Sequence, residues 1–163
     1  MDTSDFCNLG RLLMCKPDAQ AILRGSPDYP RISGTVNFYR ANHSVLVAAS
    51  VSGLPFGAGP CGARVFGFHI HEGRSCSGNA QDPFAGAGAH YNPGNCPHPR
   101  HAGDLPPLFG NNGRALMTVL TNRFTIAEII GRAIIIHSNP DDFTTQPAGN
   151  SGTKIACGII CRQ

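Results

Sequence analysis

Phe68-His69-Ile70-His71-Glu72 constrains this chain more than any other stretch. It closes an apolar run, Arg64-Val65-Phe66-Gly67-Phe68, that reads as a β-strand. Side chains on a strand alternate between its faces. Phe66, Phe68 and Ile70 therefore share one face, and Gly67, His69 and His71 share the other. Two imidazoles about 7 Å apart along one face can grip a single metal ion. Five further histidines stand at positions 43, 90, 98, 101 and 137. Six of the seven read as one metal centre; His43, in the polar turn Asn42-His43, reads as a bystander.

Such a strand needs partners, and the flanking sequence supplies them. Ala19 to Leu23, Ile32 to Phe38 and Val45 to Val51 read as strands, the last two joined as a hairpin through Asn42-His43. Leu105 to Phe109 is an edge strand at best, because Pro106 and Pro107 have no N–H to give a ladder. Asn111-Asn112-Gly113 turns the chain into Ala115 to Leu120. Thr125 and Glu128 have the spacing of a capping box, so a short helix begins there. Ile134 to His137 and Lys154 to Ile160 bring the total to about eight short strands. Only 14% of residues are charged, while glycine (20) and proline (13) abound, which fits an all-β chain with many turns. The expected architecture is one antiparallel sandwich or barrel spanning residues 19–163, preceded by an extension of residues 1–18.

Two stretches carry little periodicity: 72–103, and Ser138 to Gly152. Irregular loops longer than about 15 residues are uncommon and usually functional. A metal with a disulfide would replace the missing secondary structure of the first. That loop holds His90, His98 and His101, and Asp104 follows directly after it; His98, His101 and Asp104 are spaced three apart. Three histidines and one aspartate are the ligand count of a closed tetrahedral zinc site. Cys96, two residues before His98, is an alternative zinc ligand. His69, His71 and His137 with a fourth histidine would instead suit copper in a tetragonal set. Taken alone, His137 would be read as a satisfied core histidine and His98 and His101 as solvated loop residues. Their joint occurrence beside an otherwise unexplained loop favours the metal.

A net charge of +3 without a basic cluster gives no reason to expect nucleic acid as a partner. No apolar run approaches a membrane span, so no membrane association is expected. Met1 to Asp5 is acidic, and Leu12 to Cys15 is the only apolar run nearby, so no signal peptide is read there. That favours the cytoplasm, whereas seven cysteines would suit an oxidising compartment. The oligomeric state is open, with a homodimer as the candidate.

Taken together, Phe68 to Glu72, Ala89-His90-Tyr91-Asn92-Pro93, His101-Ala102-Gly103-Asp104-Leu105 and Gly149 to Gly158 resemble the bacterial kind of copper/zinc superoxide dismutase. The resemblance implies an eight-stranded antiparallel Greek-key barrel of the immunoglobulin-like sandwich type. It implies dismutation of superoxide to dioxygen and hydrogen peroxide. Copper would be held by His69, His71, His90 and His137, and zinc by His90, His98, His101 and Asp104, with His90 bridging the two ions. It further implies that Asp141 links a copper-bound to a zinc-bound histidine, and that Cys76 and Cys157 form a disulfide. Proton delivery would run through His90.

The chain departs from the family pattern in three places. The gap between His98 and His101 is short, as is the loop from His137 to Lys154. Lys154 also stands where the family usually has the arginine that guides superoxide, and lysine keeps the charge but not the planar two-pronged donor. A non-catalytic copper/zinc-binding protein of the same fold is the alternative reading. A zinc hydrolase would need a general base at an open metal position, and Glu72 points to the face opposite His71.

Overall fold

The structure is a computed structural model that describes residues 10–59, 61–62 and 64–163. Residues 1–9 of the expected extension, Cys7 among them, lie outside the described residues. Among the described residues nine strands follow in order: β1 (Ala19–Gly25), β2 (Ser33–Ala41), β3 (Ser44–Ser52), β4 (Val65–Phe66), β5 (Phe68–Ile70), β6 (Leu108–Phe109), β7 (Arg114–Thr121), β8 (Ala133–His137) and β9 (Lys154–Arg162). One short helix, α1 (Ile126–Ile129), lies between β7 and β8. It opens on the Thr125–Glu128 capping box, with the Glu128 carboxylate accepting from both the Thr125 N–H and its hydroxyl. No helix among the described residues is long and apolar enough to cross a membrane.

Seven strands form one antiparallel sheet in the order β5-β8-β9-β1-β2-β3-β7, and β4 pairs with β6. β4 leads into β5, and β6 leads into β7, so the small pair connects the two edge strands of the large sheet. That arrangement is the β-barrel expected from the pattern of short strands. The strand expected from Arg64 onward divides at Gly67, which is why nine strands are found rather than eight. Gly67 donates its N–H to Asn139 O at 2.7 Å instead of to a ladder, and a Cβ there would meet the Ser151 side chain at 2.8 Å. Only Leu108–Phe109 of the expected 105–109 strand is regular, since neither Pro106 nor Pro107 can donate.

The core explains the patterning. Leu23, Val36, Phe38, Val47, Phe66, Phe68 and Ile70 are fully buried inside the barrel. β8 is buried on both faces, which makes it a continuous apolar run rather than an alternating one. Ile134 and Ile136 join the main core, whereas Ala133 and Ile135 face outward onto Phe84, Ala87 and Cys157. This second, smaller core lies under the 72–103 loop. His137 follows on the same outward face of β8 and so points toward the loop.

Candidate metal centre

Six histidines converge where β5 and β8 meet the two long loops, and all six are at most 6% exposed. His43 stays exposed in its turn. Two ligand sets emerge, His69-His71-His90-His137 and His90-His98-His101-Asp104, with the donor atoms of each set within 4.8 Å of one another. His90 belongs to both.

Strand geometry presents the first set. β5 sends Phe68 and Ile70 into the barrel and His69 out of it. His71 follows at the end of β5, with its N–H on Ala133 O at 2.8 Å. His137 closes β8 beside an irregularity in the β8–β9 register and donates its N–H to Gly67 O at 2.8 Å. The second set hangs on the other edge of β5. Ile70 donates to Gly103 O, and Tyr91 donates to Ile70 O, each at 2.9 Å. Gly103 is required there because a Cβ would strike Ile70 O.

Hydrogen bonds to four of the rings, those of His69, His71, His98 and His137, sort their nitrogens. A carbonyl or carboxylate oxygen can only accept, so a ring nitrogen facing an oxygen outside the two sets carries the proton; His90 Nδ1, 2.9 Å from Asp104 Oδ1, faces an oxygen within its own set. His71 Nδ1 donates to Gly88 O at 2.8 Å, and His137 Nδ1 lies 3.4 Å from Gly152 O. That leaves the His71 and His137 Nε2 atoms with lone pairs, and these two face each other at 3.2 Å. His69 Nε2 and His98 Nε2 donate to the two oxygens of Asp141, each at 2.8 Å. Their lone pairs are therefore on Nδ1. The Nδ1 atoms of His69, His98 and His101, and Nε2 of His90, are buried without a hydrogen-bond partner, although Nδ1 of His98 and of His101 lie 3.2 Å and 3.3 Å from the Asp104 carboxylate of their own set. Buried polar atoms are rarely left unpaired. Four orphaned imidazole nitrogens in two converging sets are what metal ligands look like without their ions, and the donors fit a copper and a zinc site.

The electrostatics agree with this sorting. Burial, and then the neighbouring His69 and His90, push His137 down to about 3. Burial likewise lowers His69, and it holds His71 well below its ordinary value together with His137 and His90. These rings stay neutral near neutral pH, the form in which imidazole binds a metal. Burial alone would raise Asp141. Hydrogen bonds from His69, the Phe143 N–H and His98 outweigh it and hold the carboxyl well below the usual range. Asp104 is likewise raised by burial but lowered more by the hydrogen bond with His90 and the neighbouring imidazoles. Both carboxylates are thus anionic acceptors.

Cys76 and Cys157 form a disulfide with a Cα–Cα distance of 5.7 Å, tying the 72–103 loop to β9. Cys96 does not enter the second set. It is exposed, and its thiol faces Gly94 O at 3.7 Å. Glu72 is exposed too, with its carboxylate turned toward the Ala89 N–H at 3.5 Å. Lys154 lies opposite His137 in the β8–β9 register, and its ammonium meets Asp82 Oδ2 at 2.6 Å. Neither Asp82 nor Gln146 was evident in the sequence. Gln146 grips His98 with both ends of its amide, accepting from the His98 N–H at 2.9 Å and donating to His98 O at 2.8 Å. Nothing in the spacing around it announces that contact.

The model of the family described as copper/zinc superoxide dismutase (SODC) matches residues 32–160. The chain belongs to the copper/zinc superoxide dismutase family. A copper/zinc superoxide dismutase of Deinococcus radiodurans is 37% identical over 148 residues, covering 80% of this chain and 78% of that protein. One from Photobacterium leiognathi is 33% identical over 141 residues, covering 78% of each, and one from Aquifex aeolicus, named superoxide dismutase 2, is 32% identical over 144 residues, covering 79% of each. Membership makes the chain an oxidoreductase with copper and zinc as its cofactors, and the β-barrel, the disulfide and the two ligand sets all fit that family.

Proposed function

We propose that His69, His71, His90 and His137 hold copper and that His90, His98, His101 and Asp104 hold zinc in a superoxide dismutase. The observation that carries this is the sorting of ring nitrogens. His69, His71 and His98 each turn one ring nitrogen to an oxygen acceptor, while Nδ1 of His69, His98 and His101 and Nε2 of His90 turn inward, buried and without a hydrogen-bond partner. The reaction consumes two superoxide anions and two protons and gives dioxygen and hydrogen peroxide. When bound, copper would supply the electron chemistry by moving between two oxidation states, and zinc would have none to offer.

The chain's own groups do the rest. His90 joins the sets, with Nδ1 2.9 Å from Asp104 Oδ1 and Nε2 turned toward the first set. We assign to Nε2 of His90 the proton that the reduction of superoxide requires. Asp141 fixes His69 and His98 from a single carboxylate, so the rings of the two sets are oriented together. Gly149 is needed beside it, at φ +63°, because a Cβ would run into the Asp141 carboxylate and lie 2.7 Å from His98 Nε2. Lys154 is the cation we assign to drawing the superoxide anion toward the copper set. The catalytic unit on this reading is residues 19–163, which begins with β1, and residues 1–18 stand ahead of it as an extension.

Metal analysis tests the assignment. The full chain reconstituted with both ions should hold one copper and one zinc. His137→Ala should weaken copper and spare zinc, because His137 is in the first set alone. A reconstituted chain that holds only one metal, or a variant that loses both equally, overturns the bridged arrangement.

A further inference from the structure

We infer that Arg123 is a positioning residue for the zinc set, acting through the backbone of the loop that carries three of its four ligands. Its Nη1 donates to Pro99 O at 3.2 Å, His101 O at 3.4 Å and Asp104 O at 3.2 Å. One guanidinium nitrogen has two N–H bonds for these three carbonyls, so one of them is shared. All three acceptors fall within the stretch 98–104. The side chains of His98, His101 and Asp104 turn into the site and are nearly fully buried. Arg123 gathers carbonyls of the same segment from outside. Charged donors make stronger hydrogen bonds than neutral ones, and the planar arginine fork offers them in a fixed geometry.

The brace stands on firm ground. The Arg123 N–H is bound to Thr121 Oγ1 at 3.2 Å, at the end of β7. Phe124, the next residue, is buried in the main core, and the capping box of α1 starts at Thr125. Arg123 thus connects the barrel core to a ligand loop that has no strand pairing of its own between His98 and His101. A cation beside a metal site has an opposing effect, since its charge repels a divalent ion. The two effects predict opposite signs. If bracing dominates, removing Arg123 weakens zinc; if repulsion dominates, removing it strengthens zinc.

The inference rests on the zinc assignment above, and one titration separates the two. Zinc dissociation constants would be measured by competition with a chromogenic chelator on the full, copper-loaded chain. The series is the parent, Asp104→Ala, Arg123→Lys, Arg123→Gln and Arg123→Ala. Asp104→Ala should abolish the zinc equivalent. Arg123→Ala and Arg123→Gln should weaken zinc by roughly 10–100-fold, the range seen when groups that support metal ligands are removed. Arg123→Lys should fall between them and the parent, because it keeps the charge and loses the fork. The thermal midpoint of metal-free Arg123→Ala should stay near that of the metal-free parent. Zinc bound as tightly as in the parent, or more tightly, by both Arg123→Ala and Arg123→Gln overturns the brace. So does a loss of zinc matched by equal destabilisation of the metal-free chain. Zinc retained in Asp104→Ala would sink the assignment and the brace together, whereas zinc lost there and unchanged in the Arg123 variants sinks the brace alone. Should Arg123→Ala fail to fold, Arg123→Gln carries the same test.

Discussion

The two ligand sets share His90 yet are held in place by different means. The set assigned to copper is borne by the sheet: His69 lies in β5 opposite Ile135 of β8, His71 donates its backbone N–H to Ala133 of β8, and His137 donates its own to Gly67, just before β5. The zinc set is borne by a loop. His98 and His101 are fixed by side-chain contacts from Gln146, Asp141 and Arg123, each reaching in from another segment. A ladder distributes its support over many backbone bonds, so no single side chain is decisive. A loop held by individual contacts is sensitive to each. The zinc half should therefore be the first to loosen when a link is cut, and the copper half should follow only when the barrel itself gives way.

The largest effect is expected from the disulfide. Cys76 and Cys157 are separated by 81 residues. In the chain-entropy account, closing a loop of that size stabilises the fold by about 4–5 kcal/mol. Replacing both with serine should lower the urea midpoint of the metal-free chain accordingly. Amide exchange should quicken in 72–104 more than in β5 and β8. Equal stability of the parent and the double variant, or uniform acceleration of exchange, would break the comparison.

Asp141 comes next, because its carboxylate grips His69 of one half and His98 of the other. Asp141→Ala should cost zinc roughly 10–100-fold in affinity and copper less, since the backbone of His69 remains in its ladder. Titration of each metal into the metal-free variant checks this. A copper loss as large as the zinc loss would mean that sheet support does not protect the first set.

The same division decides what could be read from the sequence. β2 is plain in the alternation of apolar and polar residues, β1, β3 and β7 in short apolar runs, and β8 in its unbroken Ile134-Ile135-Ile136 run. Capping chemistry marked α1 because it depends on two residues three apart. Residues of the ligand sets stood out because histidine is rare and clustered here. The break at Gly67 was not legible, since it depends on Asn139 and Ser151, more than 70 positions away. Arg123, Gln146 and Asp82 were equally hidden. Arg123 and Gln146 act on backbone groups, which every residue possesses, so no residue type at the far end betrays the contact. Asp82 pairs with a lysine 72 positions on, and neither residue is unusual where it stands.

The smallest effect is expected at Lys154, and there the structure changes the argument. A lone cation beside the copper set would raise the local concentration of a small anion by simple attraction. Lys154 is not alone: its ammonium meets Asp82 at 2.6 Å, with the lysine side chain 16% exposed and the aspartate 40% exposed. The partnered charge is held in place and partly cancelled at once. Lys154→Ala should lower the rate of superoxide consumption several-fold, with both metals still bound, because it leaves Asp82 uncompensated near the entry. Asp82→Asn should do the reverse at low salt. The amide keeps an oxygen for Lys154 to donate to, while the opposing charge is gone. Added salt limits the reach of such charges to about 8 Å near physiological ionic strength. It should therefore slow Asp82→Asn most and the parent less, and should leave Lys154→Ala unchanged or slightly faster, because there it screens the repulsion from Asp82. Stopped-flow decay of superoxide across a salt series would measure all three. If the parent and Lys154→Ala share one rate and one salt slope, Lys154 does not guide the substrate. If instead Asp82→Asn is slower than the parent at low salt, the aspartate serves to hold the lysine in position more than to dampen its field.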